Sequence, residues 1–197
     1  MAKILYQGHG SLRLVSLDGI VVYIDPYAGG GYEVPADIIL VTHQHMDHNC
    51  VEKPAKKTDC NVIQNFDALK KGEYKSFTVK GLTIEAVPAY NKNHSRNTCV
   101  GYLVTVDQKL IYFAGDTSQT TEMADLAPRK IDYAFFPADG KFNMDEVEAS
   151  ECARIVGARH STPIHMLPGK LFSEEKAAAF HADGKLIIRP TEEITLD

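Results

Sequence analysis

The feature that most constrains this chain is the segment Thr42-His43-Gln44-His45-Met46-Asp47-His48, set directly after the apolar run Asp37-Ile38-Ile39-Leu40-Val41. A short apolar run bounded by turn residues predicts a buried strand. The histidines then leave that strand's end in a loop, where several donors can turn toward one point. Side chains two apart in an extended segment share a face, so His43 and His45 point the same way. Asp47 and His48 come after the chain has turned, which assigns them to a second point beside the first. Neutral imidazole and carboxylate are good donors to zinc and other first-row metals. The competing interpretation is a surface loop rich in histidine. Four metal-competent side chains within positions 43–48 weigh against it.

Along the chain, Lys3 to Tyr6, Leu12 to Leu17 and Ile20 to Ile24 read as strands, with a hairpin turn at Leu17-Asp18-Gly19-Ile20. His9 lies between two glycines and could reach the cluster, although a single histidine beside a glycine turn is more often structural. Asp25-Pro26 has the composition of a turn. Short helical pieces are expected at Val51 to Lys57 and Phe66 to Lys71, then a hairpin of Ser76 to Val79 with Leu82 to Val87. Cys99 to Val106, Lys109 to Ala114 and Ile131 to Phe136 are further strands. A helix around Gln119 to Leu126 would be capped by Asp116, or by Thr117 or Ser118, which would leave Asp116 free. Asn143 and Glu146 have the spacing of a capping box for a helix that Gly157 stops. Ser173 to Asp183 reads as a capped helix ending at Gly184, followed by strands Leu186 to Arg189 and Glu193 to Leu196. The second half repeats the succession of the first without repeating its sequence: hairpin, strand, donor-bearing loop, helix. That succession fits two facing sheets with helices outside.

The pattern H-x-H-x-D-H after a hydrophobic strand resembles the signature of the metallo-β-lactamase superfamily, and the likeness runs from Gly8-His9 to His165. It implies an α/β (α+β) fold, the αββα four-layer sandwich. It also implies roles that the residues do not declare alone. Ile24-Asp25-Pro26 is similar to the family's strand-end aspartate, which accepts from the far nitrogen of a ligating histidine and fixes its tautomer. The run Ala89-Tyr90-Asn91 and His94, before Val100-Gly101-Tyr102, resembles the group that includes ascorbate-6-phosphate lactonase. By that match His94 is the third ligand of the first ion; alone it is a loop histidine. Gly115-Asp116-Thr117 resembles the aspartate that bridges two ions, and Pro163-Ile164-His165 the last ligand. The implied set is His43, His45 and His94 on one ion, Asp47, His48 and His165 on the other, and Asp116 between. Two divalent ions are expected, zinc first, with Mn2+, Fe2+ or Ni2+ as alternatives. Such a pair would hold a bridging hydroxide that Asp47, the expected catalytic residue, orients.

A net charge of −5 and the absence of a Lys- or Arg-rich run argue against nucleic acid as a partner. No apolar stretch approaches the roughly 18 residues of a membrane span. The start, Met1 to Tyr6, lacks the apolar core of a signal peptide. Cys50, Cys60, Cys99 and Cys152 are scattered without C-x-x-C pairing, as expected of reduced thiols in a cytoplasmic protein. Cys50, two residues past His48, is a minority alternative as a metal donor. Lys141 is expected to be a solvated lysine, with attraction of an anionic substrate group as its alternative; His160 and His181 are expected at the surface. No composition break divides the chain, so one domain spanning 1–197 is expected. The expectation is a small stand-alone hydrolase of a cytoplasmic ester, lactone or phosphodiester, of open oligomeric state. Its rivals are a nuclease or nucleotide phosphodiesterase, and a non-catalytic metal-dependent binding protein.

Overall fold

The computed structural model describes all 197 residues. The chain begins with β1 (Lys3–Gly8), β2 (Ser11–Val15), β3 (Val21–Ile24), β4 (Ala36–Val41) and β5 (Lys56–Gln64). A single turn, α1 (Asn65–Ala68), leads to a minor hairpin of β6 (Leu69–Lys70) and β7 (Glu73–Tyr74). Next come β8 (Ser76–Val79), β9 (Leu82–Pro88), β10 (Val100–Val106), β11 (Lys109–Phe113) and β12 (Tyr133–Pro137), with a 3-10 stretch at Thr121–Arg129. The chain ends with α2 (Glu146–Val156), β13 (His160–Ile164), α3 (Glu174–Ala179) and β14 (Glu193–Thr195).

Two six-stranded sheets result, ordered β14-β1-β2-β3-β4-β5 and β8-β9-β10-β11-β12-β13. In the first, the pairings are antiparallel up to β2–β3 and parallel for β3–β4 and β4–β5. The second repeats this order and polarity, antiparallel up to β10–β11 and parallel for β11–β12 and β12–β13. The succession of elements in the two halves thus becomes a shared topology. Parallel neighbours must be joined by crossovers that leave from the same strand ends, so the loops after β3, β4, β11, β12 and β13 gather along one edge.

The period of two along each strand sorts side chains to opposite faces. Ile38 and Leu40 of β4 point inward with Tyr102, Val104, Tyr133 and Phe135 of the other sheet, in a cluster of 26 buried residues between the sheets. Leu103, Tyr112, Ala134 and Phe136 face out and pack on Ala149, Cys152, Ala153 and Val156 of α2 and Ala177 of α3. The mixed α/β class and facing sheets are as expected. The outer face of the first sheet has no long helix; Tyr32 from the loop after β3 covers Val21, Tyr23, Ile39 and Val41. Three hydrogen bonds stitch the sheets at the donor-bearing edge: Val100 N–H to Thr42 O (3.1 Å), Tyr102 Oη to Val41 O (3.0 Å) and His165 N–H to His9 O (2.7 Å). No helix is long and apolar enough to cross a membrane.

Several local expectations are corrected. Residues 51–55 form turns rather than a helix and lead into β5, and the helical piece at Phe66 to Lys71 is only the turn α1 followed by β6. The cap of α2 is Asp145, whose carboxylate accepts from Val147 and Glu148 N–H, not an Asn143–Glu146 box; Asn143 is held by Asp139 and Asn91 instead. Neither Thr117 nor Ser118 caps the stretch at Thr121, because Thr117 Oγ1 accepts from Tyr90 N–H (3.0 Å) and the cap position falls to Thr120. Ser173 does cap α3, but that helix stops at Ala179, and Leu186 to Arg189 is not a strand.

Candidate metal centre

The loop after β4 supplies four of the seven expected donors. His43 and His48 are buried, His45 is exposed and Asp47 lies between. His43 Nε2 is 3.0 Å from His45 Nδ1, and His94 from the loop after β9 completes a group whose donor atoms all lie within 4.8 Å of one another. His48, Asp47 and His165, with His9, form a second such group. Asp116 stands between the two: its Oδ2 is 3.3 Å from His94 Nε2 and 3.7 Å from His165 Nε2, and its Oδ1 is 3.4 Å from His48 Nε2. All seven residues therefore converge, drawn from four loops and both sheets. Gly115 makes the approach of Asp116 feasible: its φ is +66° and a Cβ there would stand 2.8 Å from Val100 O.

His48, His43 and His94 each have Nδ1 held by a hydrogen-bonding partner, and His165 Nδ1 has only the close approach of a carboxylate. Asp25 Oδ2 lies 2.7 Å from His48 Nδ1, and the same carboxylate accepts from Thr42 N–H (2.7 Å) and Thr42 Oγ1 (2.6 Å). Thr42 Oγ1 is 3.0 Å from His43 Nδ1, and Asn91 Oδ1 is 3.0 Å from His94 Nδ1. Asp139 Oδ2 faces His165 Nδ1 at 3.3 Å, while its Oδ1 accepts from the backbone N–H of Lys141 and Phe142, each at 2.6 Å. Three of these residues, His9, Asp25 and His165, hold φ of 56°, 46° and 45°. Left-handed backbone in non-glycine residues is costly and persists where surroundings enforce it.

The electrostatics favour positive charge. Burial alone disfavours an imidazolium at His165, but Asp116, Asp139 and Asp47 outweigh it and raise its pKa to about 9. His48 is likewise raised against burial by Asp116 and Asp25. His43 goes the other way, pushed down to about 2 by burial and by the charge of His48. Burial opposes the charged form of Asp116 and Asp47, yet both are held well below the usual carboxylate range, Asp116 by His48 and His165 and Asp47 chiefly by His165 and His9. None of Asp25, Asp47, Asp116 and Asp139 is paired with a lysine or arginine.

These residues fit divalent cations. His48 Nε2 and His165 Nε2 are buried, aimed inward and without a hydrogen-bond partner, a state worth about 1–3 kcal/mol of lost solvation each. Cations among the carboxylates would satisfy both. The donors are nitrogen and oxygen only, unlike the cysteine-rich set of a closed structural zinc site. Cys50 stays outside, its Sγ turned to Met46 O. Lys141 is exposed, its Nζ 5.0 Å above the Phe142 ring. His181 is exposed and His160 partly so. Sequence reasoning did not single out Asp139 or Thr42, and left Asn91 without a role. The signal for Asp139 was present: like Asp25 and Asp116, it follows a buried strand end.

Two facing sheets whose strand ends deliver histidines and aspartates to one cleft are the metallo-β-lactamase fold, and the relatives of this chain place it among the metal-dependent hydrolases of that fold. More particularly, residues 3–165 match the Beta-lactamase superfamily domain, and the chain belongs to that family. It is similar to a UPF0173 metal-dependent hydrolase of Thermococcus kodakarensis, 31% identical over 191 residues that cover 84% of each chain. A metal-dependent hydrolase structure from Parabacteroides distasonis superposes with a TM-score of 0.78 at 32% identity, covering 96% of this chain and 93% of that one. CmlA, a diiron β-hydroxylase from Streptomyces venezuelae, shares the fold alone: TM-score 0.70 and 14% identity, over 99% of this chain and 54% of that one.

Proposed function

We propose that the protein hydrolyses a small ester, lactone or phosphodiester at a two-cation centre. His43, His45 and His94 would hold one ion, Asp47, His48 and His165 the other, with Asp116 shared between the two groups. The observation that carries this is Asp116 itself, a buried carboxylate within 4 Å of ring nitrogens from both groups. When bound, such ions make a nucleophile of water at neutral pH and polarise a substrate carbonyl or phosphoryl oxygen. Asp47 is open to the cleft, its side chain 32% exposed against 5% for Asp116. It would accept a hydrogen bond from the attacking water and fix its direction; the leaving oxygen would take its proton from Asp47, once Asp47 has taken it from that water, or from a second water.

The cleft supports a small substrate. Its volume is about 270 Å3, lined by His45, Asp47, His94, Asp116 and His165 with Met46, Asn93 and Phe142. That lies below the usual 300–1,000 Å3 of drug-sized ligand sites. Met46 and Phe142, 79% and 44% exposed, offer an apolar rim. A neighbouring hollow of about 230 Å3 shares His45, Asn93 and His94 and adds uncharged polar groups from Gln44, Asn65, Ser95 and Thr98. Neither is lined by lysine or arginine, which favours a compact metabolite over a polynucleotide, whose phosphates need cationic side chains. Zinc is the first choice of ion; Mn2+, Fe2+ and Ni2+ suit the same donors.

The test is a panel of lactones, esters and phosphodiesters offered to the metal-loaded protein, with Asp47→Ala beside it. Turnover of at least one class, lowered about 100-fold or more in the variant, is expected for a group acting in proton transfer. Equal turnover by the variant removes the role given to Asp47. A panel without turnover, on protein carrying two ions, favours the non-catalytic binding protein.

A further inference from the structure

We propose that His9 is a further protein ligand of the second ion, an inference that rests on the two-cation reading. His9 is buried, and its Nε2 lies 3.1 Å from Asp47 Oδ2, inside the group formed with His48 and His165. Its ring centroid is 3.8 Å from that of His165. The ring is prepared as the other candidate ligands are. Nδ1 faces the carbonyl oxygen of Lys170 at 3.1 Å; a carbonyl has no proton to give, so Nδ1 donates. Nε2 faces a carboxylate oxygen of Asp47, which can likewise only accept, so the position between them suits a proton or a metal ion. A metal ion there would take the place of the proton that the pair otherwise shares. An acceptor fixing the far nitrogen is the arrangement that ligating histidines require.

The backbone makes this placement deliberate. His9 holds φ at 56°. Its N–H donates to Leu171 O (2.7 Å), and its carbonyl accepts from His165 N–H (2.7 Å) and from Tyr6 Oη (2.8 Å). One hydrogen bond therefore joins the backbones of His9 and His165, so the two rings are set as a unit. Gly10 allows the chain to pass against His48: a Cβ there would meet Cε1 of that ring at 3.2 Å. The alternative is a histidine that only hydrogen-bonds Asp47.

Two measurements separate these roles. In a crystal structure of the wild-type protein loaded with Zn2+, His9 Nε2 is expected about 2.0–2.1 Å from the second ion; a separation beyond about 3 Å overturns the proposal. In solution, metal-free wild type and His9→Gln are titrated with Co2+ against a competing chelator and followed by visible absorption. Glutamine keeps a donor for Asp47 but removes the imidazole. Loss of about 100-fold or more in second-ion affinity, with an altered spectrum for that equivalent and the first ion unchanged, supports ligation. That exceeds most of the ~10–100-fold range for losing an outer partner. Two equivalents bound with wild-type spectrum and affinity overturn it. Should wild type itself bind fewer than two equivalents, the two-cation reading fails instead, and the inference with it.

Discussion

At the scale of single residues, the centre depends on side chains that would never touch a substrate. Asp25 is fully buried with φ of 46°, and its two oxygens take Thr42 N–H, Thr42 Oγ1 and His48 Nδ1. An amide in its place would present N–H where one of those donors now points. Asp25→Asn is therefore expected to weaken the second ion by about 10–100-fold while leaving the first in place. Chelator competition measures this directly, and unchanged affinity for both ions would show that His48 needs no such anchor. The His43–His48 run was legible because it follows an apolar strand and gathers four donors in one turn; Asp25 and Asp116 stood out as strand-end carboxylates, but their roles came from the family likeness. His94 and His165 needed the family likeness, since nothing adjacent marks a loop histidine as convergent. His9 was recognised only as a histidine that could reach the cluster; its nearness to Asp47 in particular was not legible. It arises from a left-handed turn and from a hydrogen bond across 156 positions of chain, between His9 and His165, and neither leaves a local trace.

At the scale of elements, β4 delivers the main cluster at one end and is clamped at the other by Asp37. That carboxylate is 2% exposed and accepts from Val21 N–H (2.9 Å), Lys57 Nζ (2.7 Å) and Lys80 Nζ (3.0 Å), so it joins β3, β5 and the β8–β9 turn. Burial pushes its pKa up, but Lys57, the Val21 N–H and Lys80 together hold it below the ordinary value. With the folded pKa below the unfolded one, near ~3.9, the clamp stabilises fully above that pH. The contribution is lost as pH falls through the folded value. Asp37→Asn is expected to cost about 1.5–3 kcal/mol at pH 7, the range for hydrogen bonds to a charged group. Urea unfolding at pH 7 and pH 3 should show the gap from wild type narrowing in acid; a constant gap refutes the clamp. Apolar strands such as β4 and β10 were legible, whereas β5 was not. Its first four residues, Lys56 to Asp59, are exposed on a sheet edge, and a polar edge strand lacks the alternation by which strands are recognised. Position 145 was missed for a different reason: two acidic or amide candidates stood two residues apart, and only tertiary contacts of Asn143 decide between them.

At the scale of the whole molecule, two sheets of identical order and polarity place the ends of corresponding strands opposite each other. Asp25 after β3 has its counterpart in Asp116 after β11, and the cluster after β4 has its counterpart in Asp139 after β12. The proposed ions would tie loops of one sheet to loops of the other, yet the scaffold does not need them to form. Its 26-residue core between the sheets and its 102 backbone hydrogen bonds lie largely away from the centre. Stripping the ions with a chelator is thus expected to leave the far-ultraviolet circular dichroism intact while lowering Tm. With free ion at about 1,000 times Kd, binding contributes about 4 kcal/mol per site. For a chain of this size each kcal/mol moves Tm by about 2–4 °C, so loss of one ion should show as roughly 8–16 °C. Hydrogen exchange should quicken in the loops after β4 and β13 before it changes in β4, β10 or β12. An unchanged Tm would mean that the converged histidines hold nothing. Collapse of the dichroism would mean that the sheets depend on the ions, and that the cluster, rather than the core, organises the fold.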